Sequence, residues 1–104
     1  MPSDREQGTS AAQRLVLTGR VDVSRARALH LEARALHDLG SDVSVEWSEV
    51  EALDAAALQI LLALDRALRA AGRRLRVSPP SEAVSQTLAL TGLAQYFAAE
   101  AAAP

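Results

Sequence analysis

Two periods alternate along the chain. In Arg14 to Gly19, "RLVLTG", arginine, leucine, valine and leucine run into a glycine, which predicts a strand followed by a turn. The period then lengthens. In "VSRARALHLEARALHDLG", Ala26, Leu29, Ala33 and Leu36 recur at helical spacing, with Ser24 as a plausible N-cap and Gly40 at the position that ends a helix. "DVSVEW" sets Val43, Val45 and Trp47 against Ser44 and Glu46, so a second strand is expected, with residues 48–53 as a connector. A long helix is predicted from about Ala55 to Ala71 and stops at Gly72. "RLRVS" is a third strand, which Pro79 and Pro80 terminate. Ser81 caps a third helix in which Val84, Leu88 and Thr91 share a face, and "LAQYF" is a last short element after Gly92.

Strand, helix, strand, helix, strand, helix is the order of an α/β layer. Its expected form is a short mixed or mostly parallel sheet with helices packed mainly on one face. Residues 1–12 and 99–104 are small, polar or alanine-rich and read as tails, leaving 13–98 as a single domain.

The long helix carries the most information. At 100° per residue, Ala57, Ile60, Leu61, Leu64, Ala67, Leu68 and Ala71 form a core stripe, opposite Gln59, Arg66 and Ala70. Asp65 and Arg69 are spaced to pair at i,i+4. Leu58 and Leu62 lie off the stripe. Either a neighbouring segment covers them, or they form a small exposed apolar patch suited to a protein partner. Asp54 is placed to cap the helix by accepting the amide of Ala56 or Ala57.

Composition narrows the function. All 11 basic residues are arginine, and 22 of the 104 residues are alanine, a bias expected of a GC-rich genome. The formal charge is −2, and no basic stripe of the kind that neutralises phosphates is present, so nucleic acid is not the expected partner. There is no cysteine, which removes disulfides and thiol chemistry. No long apolar span or signal peptide opens the sequence, so a cytoplasmic domain without direct membrane insertion is expected. His30 and His37 are seven residues apart, two helical turns, which is too far for joint metal ligation. Glu46, Glu49, Glu51 and Asp54 have no histidine, lysine or metal partner in sequence range, so no catalytic set, metal site or cofactor site is expected.

Four stretches in order, "LTGRVDV", "VSVEWSEVEALD", "LQILLALDRALRAAGRRLRVSPPSEAV" and "LALTGLAQYF", resemble the STAS domain of anti-sigma factor antagonists over Leu15 to Phe97. The resemblance implies a non-catalytic bacterial signalling module. In that family the aspartate at the start of the long helix is followed by a serine or threonine whose phosphorylation ejects the partner, then by a small residue and glycine. Here Asp54 matches, but Ala55 stands at the phosphosite, with Ala56 and Ala57 after it. The resemblance therefore implies a permanently unmodified docking surface formed by Asp54, Ala55, Ala56, Leu58 and Leu62. Ser48, Ser78 and Ser81 keep hydroxyls nearby and read as turn or cap residues. The partners implied are an anti-sigma factor or switch kinase, or a chemotaxis-like signalling protein. An alternative is an accessory STAS subunit bound to the ATPase of an ABC-type phospholipid transporter. A third reading is a self-associating scaffold, a homodimer.

Overall fold

The structure is a computed structural model and describes residues 13–97. Its strands are β1 (Gln13–Val21), β2 (Val43–Leu53) and β3 (Leu75–Val77), in spatial order β1-β2-β3 and parallel throughout. The helices are α1 (Val23–Asp38), α2 (Ala55–Ala70) and α3 (Glu82–Thr91), and residues 94–97 form a further helical turn. The expected α/β layer is therefore present. Its described sheet is parallel.

Alternation along the strands decides where the helices lie. Leu15, Leu17, Val43, Val45, Trp47, Leu75 and Val77 are buried, while Arg14, Val16, Thr18 and Arg20 on the other face of β1 are exposed. A strand's side chains alternate between faces, so the buried set marks one face, and the helices cover it. α1 and α2 pack on each other, and α3 packs against β2. Across the open face, Arg14 donates both Nε and Nη2 to Glu46, at 2.9 and 2.6 Å. This bond holds the Glu46 carboxyl below its ordinary range and raises Arg14.

Two elements run past their expected ends. The turn expected at Gly19 is instead a position inside β1, opposite a bulge in β2. Gly19 adopts φ +67, and the register with β2 shifts there and again between Val16 and Thr18. Arg25 reaches back from α1 and donates to the carbonyls of Thr18 (3.0 Å) and Arg20 (2.8 Å), tying the irregular segment down. The same irregularity explains residues 48–53, which belong to β2 and are not a connector. Each shift adds a residue to β2, so its buried positions become Trp47, Val50 and Leu53. A spacing of three hides a strand from any search for strict alternation.

The helix caps follow the expected pattern with one correction. Ser81 accepts the amide of Val84 at 3.1 Å, and Gly40, Gly72 and Gly92 all hold positive φ at helix ends. The cap of α1 is Asp22, not Ser24. Its Oδ1 accepts the backbone amide of Ser24 at 3.0 Å and the Ser24 hydroxyl at 2.6 Å.

The buried face of α2 is wider than the expected stripe and rotated from it. Ala57, Leu61, Leu64 and Leu68 are buried as expected, but Ile60 and Ala67 are half-buried and Ala71 is exposed. Leu58 (0% exposed), Leu62 (8%) and Asp65 (0%) are buried instead. Leu58 and Leu62 thus form no exposed patch. The physical reason is that the buried face of α2 is broader than the side that meets α1, reaching the flank where Asp65 bonds the Tyr96 hydroxyl. Cutting Leu58 back to alanine removes core, so Leu58→Ala is expected to cost about 2–5 kcal/mol in a urea unfolding titration. A cost under about 0.5 kcal/mol would mean the side chain lies at the surface.

Candidate functional site: two capped helix starts at one sheet edge

The carboxyl ends of β1 and β2 finish level with one another. Val21 pairs with Leu53, and the amide of Asp54 donates to the Val21 carbonyl at 3.2 Å. One residue later each chain turns into a helix, and each turn is made by an aspartate. Asp54 has extended backbone (φ −99, ψ 173), and its Oδ1 accepts the amide of Ala57 at 3.0 Å. Asp22 caps α1 beside it. The Ser24 hydroxyl and amide bonds hold the Asp22 carboxyl below its ordinary range.

The surface around these caps is small and apolar. Ala55 and Ala56 are exposed, Asp54 is half-buried, and Val23 is 70% exposed. Of the five residues expected to form a docking surface, the structure brings Asp54, Ala55 and Ala56 to the surface together and sends Leu58 and Leu62 inward. Asp22 and Val23 stand beside them and were missed by sequence reasoning. The signal was present in the parallel "RVDV" and "EALDA": two apolar strand ends, each followed by aspartate. Only the register shows that they are adjacent.

Two of the three neighbouring serines, Ser78 and Ser81, are engaged in the fold. Ser78 Oγ accepts the amide of Trp47 at 3.1 Å, and its carbonyl accepts the Trp47 indole N–H at 2.7 Å. Ser81 is the α3 cap. Ser48 is exposed on β2. His30 and His37 both line a shallow groove of about 390 Å³ between α1 and α2, whose floor includes Ile60 and Leu64. Among the described residues no cluster of histidine, aspartate and glutamate is arranged to hold a metal. No helix among them is long and apolar enough to cross a membrane.

A parallel α/β sheet with helices on one face, a capped helix start after the central strand and a closing "TGLAQYF" are the features of a STAS domain. The family model described as "Mlab, STAS domain" matches residues 5–99, and the chain belongs to that family. Among solved structures it is similar to a candidate anti-sigma factor antagonist from Thermotoga maritima. The TM-score is 0.68 at 19% identity, over 79% of this chain and 74% of that one, a likeness of fold. No match was found among curated proteins.

Two substitutions test the geometry. Asp54→Ala removes the acceptor for the Ala57 amide and is expected to lower stability by about 1 kcal/mol, a fall of several degrees in Tm. For Asp22 the sign follows from its lowered pKa. The charged cap stabilises above the ordinary carboxylate range, and the contribution is lost as pH falls through the lowered value. The stability gap between wild type and Asp22→Ala, followed by thermal melts from pH 7 to pH 2, should therefore narrow at the acid end. A gap constant with pH would show that the carboxylate charge plays no part in the cap.

Proposed function

We propose that the chain is a non-catalytic, cytoplasmic protein-binding module that docks a bacterial signalling partner constitutively through the Asp54 end of α2. The observation that carries this reading is the exposed, oxygen-free surface at the helix start. Ala55 and Ala56 are open to solvent beside Asp54, and Ala55 stands where family members of the regulated kind have a hydroxyl. A phosphate there would add nearly two negative charges next to the Asp54 and Asp22 carboxylates and repel an apolar partner surface. Alanine has no oxygen to accept one, so the surface stays in its binding form. Asp22 and Val23 extend it across to the start of α1, and Val23 supplies its largest apolar side chain. An anti-sigma factor, a switch kinase or a chemotaxis-like protein is the partner class this reading names.

A second reading is supported by the same missing hydroxyl. A surface that cannot be switched also suits a permanent subunit, bound to the ATPase of an ABC-type phospholipid transporter.

Ala55→Glu separates docking from folding. A glutamate in the first turn of α2 is favoured by the helix dipole, so the fold is retained while the surface gains charge. Affinity capture from native lysate is expected to recover one dominant protein with wild type, and to lose at least about 90% of it with Ala55→Glu at unchanged Tm. Mass spectrometry of that protein, as an anti-sigma factor or an ABC ATPase, decides between the two readings. Equal capture by both forms would remove the helix start as the docking site.

A further inference from the structure

α1 and α2 do not close on each other along the whole of their facing sides. Between them lies the groove of about 390 Å³. Its floor is apolar, made by Ile60, Ala63, Leu64 and Ala67 of α2 with Ala33 of α1. This is the part of the α2 stripe that the fold leaves unfinished: Ile60 and Ala67 are half-buried and Ala63 is exposed. Three of the five floor residues are alanine, and side chains that short leave room for a further element to lie close along both helices.

The rims carry charge. On α1, Arg27, Leu31, Arg34 and Asp38 follow one another at i, i+4, i+7 and i+11, and the last two line the groove. On α2, Gln59, Ala63, Arg66 and Ala70 repeat that spacing, and Ala63 lines the groove. Every residue of both rows is exposed. Leu31, 58% exposed, is an apolar shoulder on the α1 row. The two helices run in the same direction, and their capping aspartates are level. Arg34 and Arg66 each lie twelve residues beyond their cap, so they stand at about the same height on the two rows. Among the described residues Arg27, Arg34 and Arg66 have no acidic partner. Asp38, the single carboxylate of these rows, has His37 beside it at 3.7 Å. A chain of formal charge −2 thus gathers three uncompensated arginines along one groove.

A small-molecule site sets a few polar groups within an enclosed apolar lining. Here the floor is apolar throughout and the polar groups stand along the rims. That layout suits an amphipathic helix, which lies in a groove through anchors at i, i+3 or i+4 and i+7. From Ile60 to Ala67 the floor runs about 10 Å, two helical turns, the length of one such set of anchors. Cationic rims call for acidic flanks on the helix. We propose that the α1–α2 groove is a second docking site, for an acidic amphipathic helix of a partner protein, with Arg34 and Arg66 pairing with carboxylates on its two sides. The groove shares no residue with the surface at the helix starts, so the proposal goes beyond docking at Asp54 and does not depend on it.

The probe is a pair of synthetic helical peptides of about 18 residues, long enough for a helix to form. Both carry the same leucine ridge, flanked by glutamates in one and by lysines in the other. Fluorescence anisotropy is expected to show the glutamate peptide binding at least about tenfold more tightly, with the advantage shrinking as salt is raised. In NMR spectra of the domain, the bound peptide should shift the amides of Ala33, Ala63 and Ala67 and leave those of Ala55 and Ala56 in place. Arg34→Glu combined with Arg66→Glu should reverse the preference, towards the lysine peptide. Arg20→Glu, on the open face of the sheet, should leave it as it is. All three positions are exposed, so each variant is expected to keep the wild-type Tm. Equal affinity for the two peptides, a preference untouched by the paired substitution, or shifts confined to Ala55 and Ala56 would overturn the proposal. So would a concentration-dependent mass in sedimentation that the paired substitution alters, which would assign the groove to a second copy of the chain.

Discussion

The hydrogen bond from the Asp54 amide to the Val21 carbonyl closes the parallel ladder between β1 and β2, and the rest of the molecule is arranged around that closure. Parallel strands must each be followed by a crossover, so their carboxyl ends gather on one edge and their helices begin there. Because the ladder ends in register, Asp22 and Asp54 turn the chain at the same level. A shift of one residue would turn the buried side chains of β2 to the open face and separate the two helix starts.

The bulges make that register attainable. β1 spans 9 residues and β2 spans 11, yet both ends of the ladder pair, Gln13 with Val43 and Val21 with Leu53. The two surplus residues of β2 are absorbed where Gly19 takes up a left-handed conformation, and Arg25 satisfies the carbonyls on either side of it. An irregularity in the strand is thus what aligns the two caps. The surface that results is apolar and flanked by two carboxylates whose charge is already committed to the helix amides.

Trp47 and Asp65 mark the opposite flank of α2. The Trp47 indole N–H is satisfied by the Ser78 carbonyl while its ring receives Phe97, joining β2, the end of β3 and the C-terminal segment in one buried contact. Asp65 adds a polar attachment for the same segment. The two flanks of α2 are therefore built differently. Against α1 the helix presents Ile60, Leu64 and alanines, whereas against the C-terminal segment it presents a carboxylate. The first is broad and non-directional. The second combines the Asp65–Tyr96 bond with the Arg69 guanidinium over the Tyr96 ring.

Hydrophobic period and punctuation were enough to read the order of elements, the helix ends at Gly40, Gly72 and Gly92, the caps at Asp54 and Ser81, and the absence of an oxygen at Ala55. These are local properties: each depends on a residue's own side chain or on neighbours a turn away. Reading failed where a distant segment set the outcome. Residues 48–53 resembled a connector because the bulges change the burial spacing from two to three. Leu58 and Leu62 could be placed off the expected stripe, but whether they met solvent depended on how widely other parts of the fold wrap α2. The Asp65–Arg69 pair was legible from its i,i+4 spacing and is present, but the burial of Asp65 and its bond to Tyr96 were not. Asp22 and Val23 joined the candidate site only through the β1–β2 register. A helix period records that a face is apolar. Which segments cover it, and how far round the helix they reach, is a matter of packing between parts of the chain that local pattern does not encode.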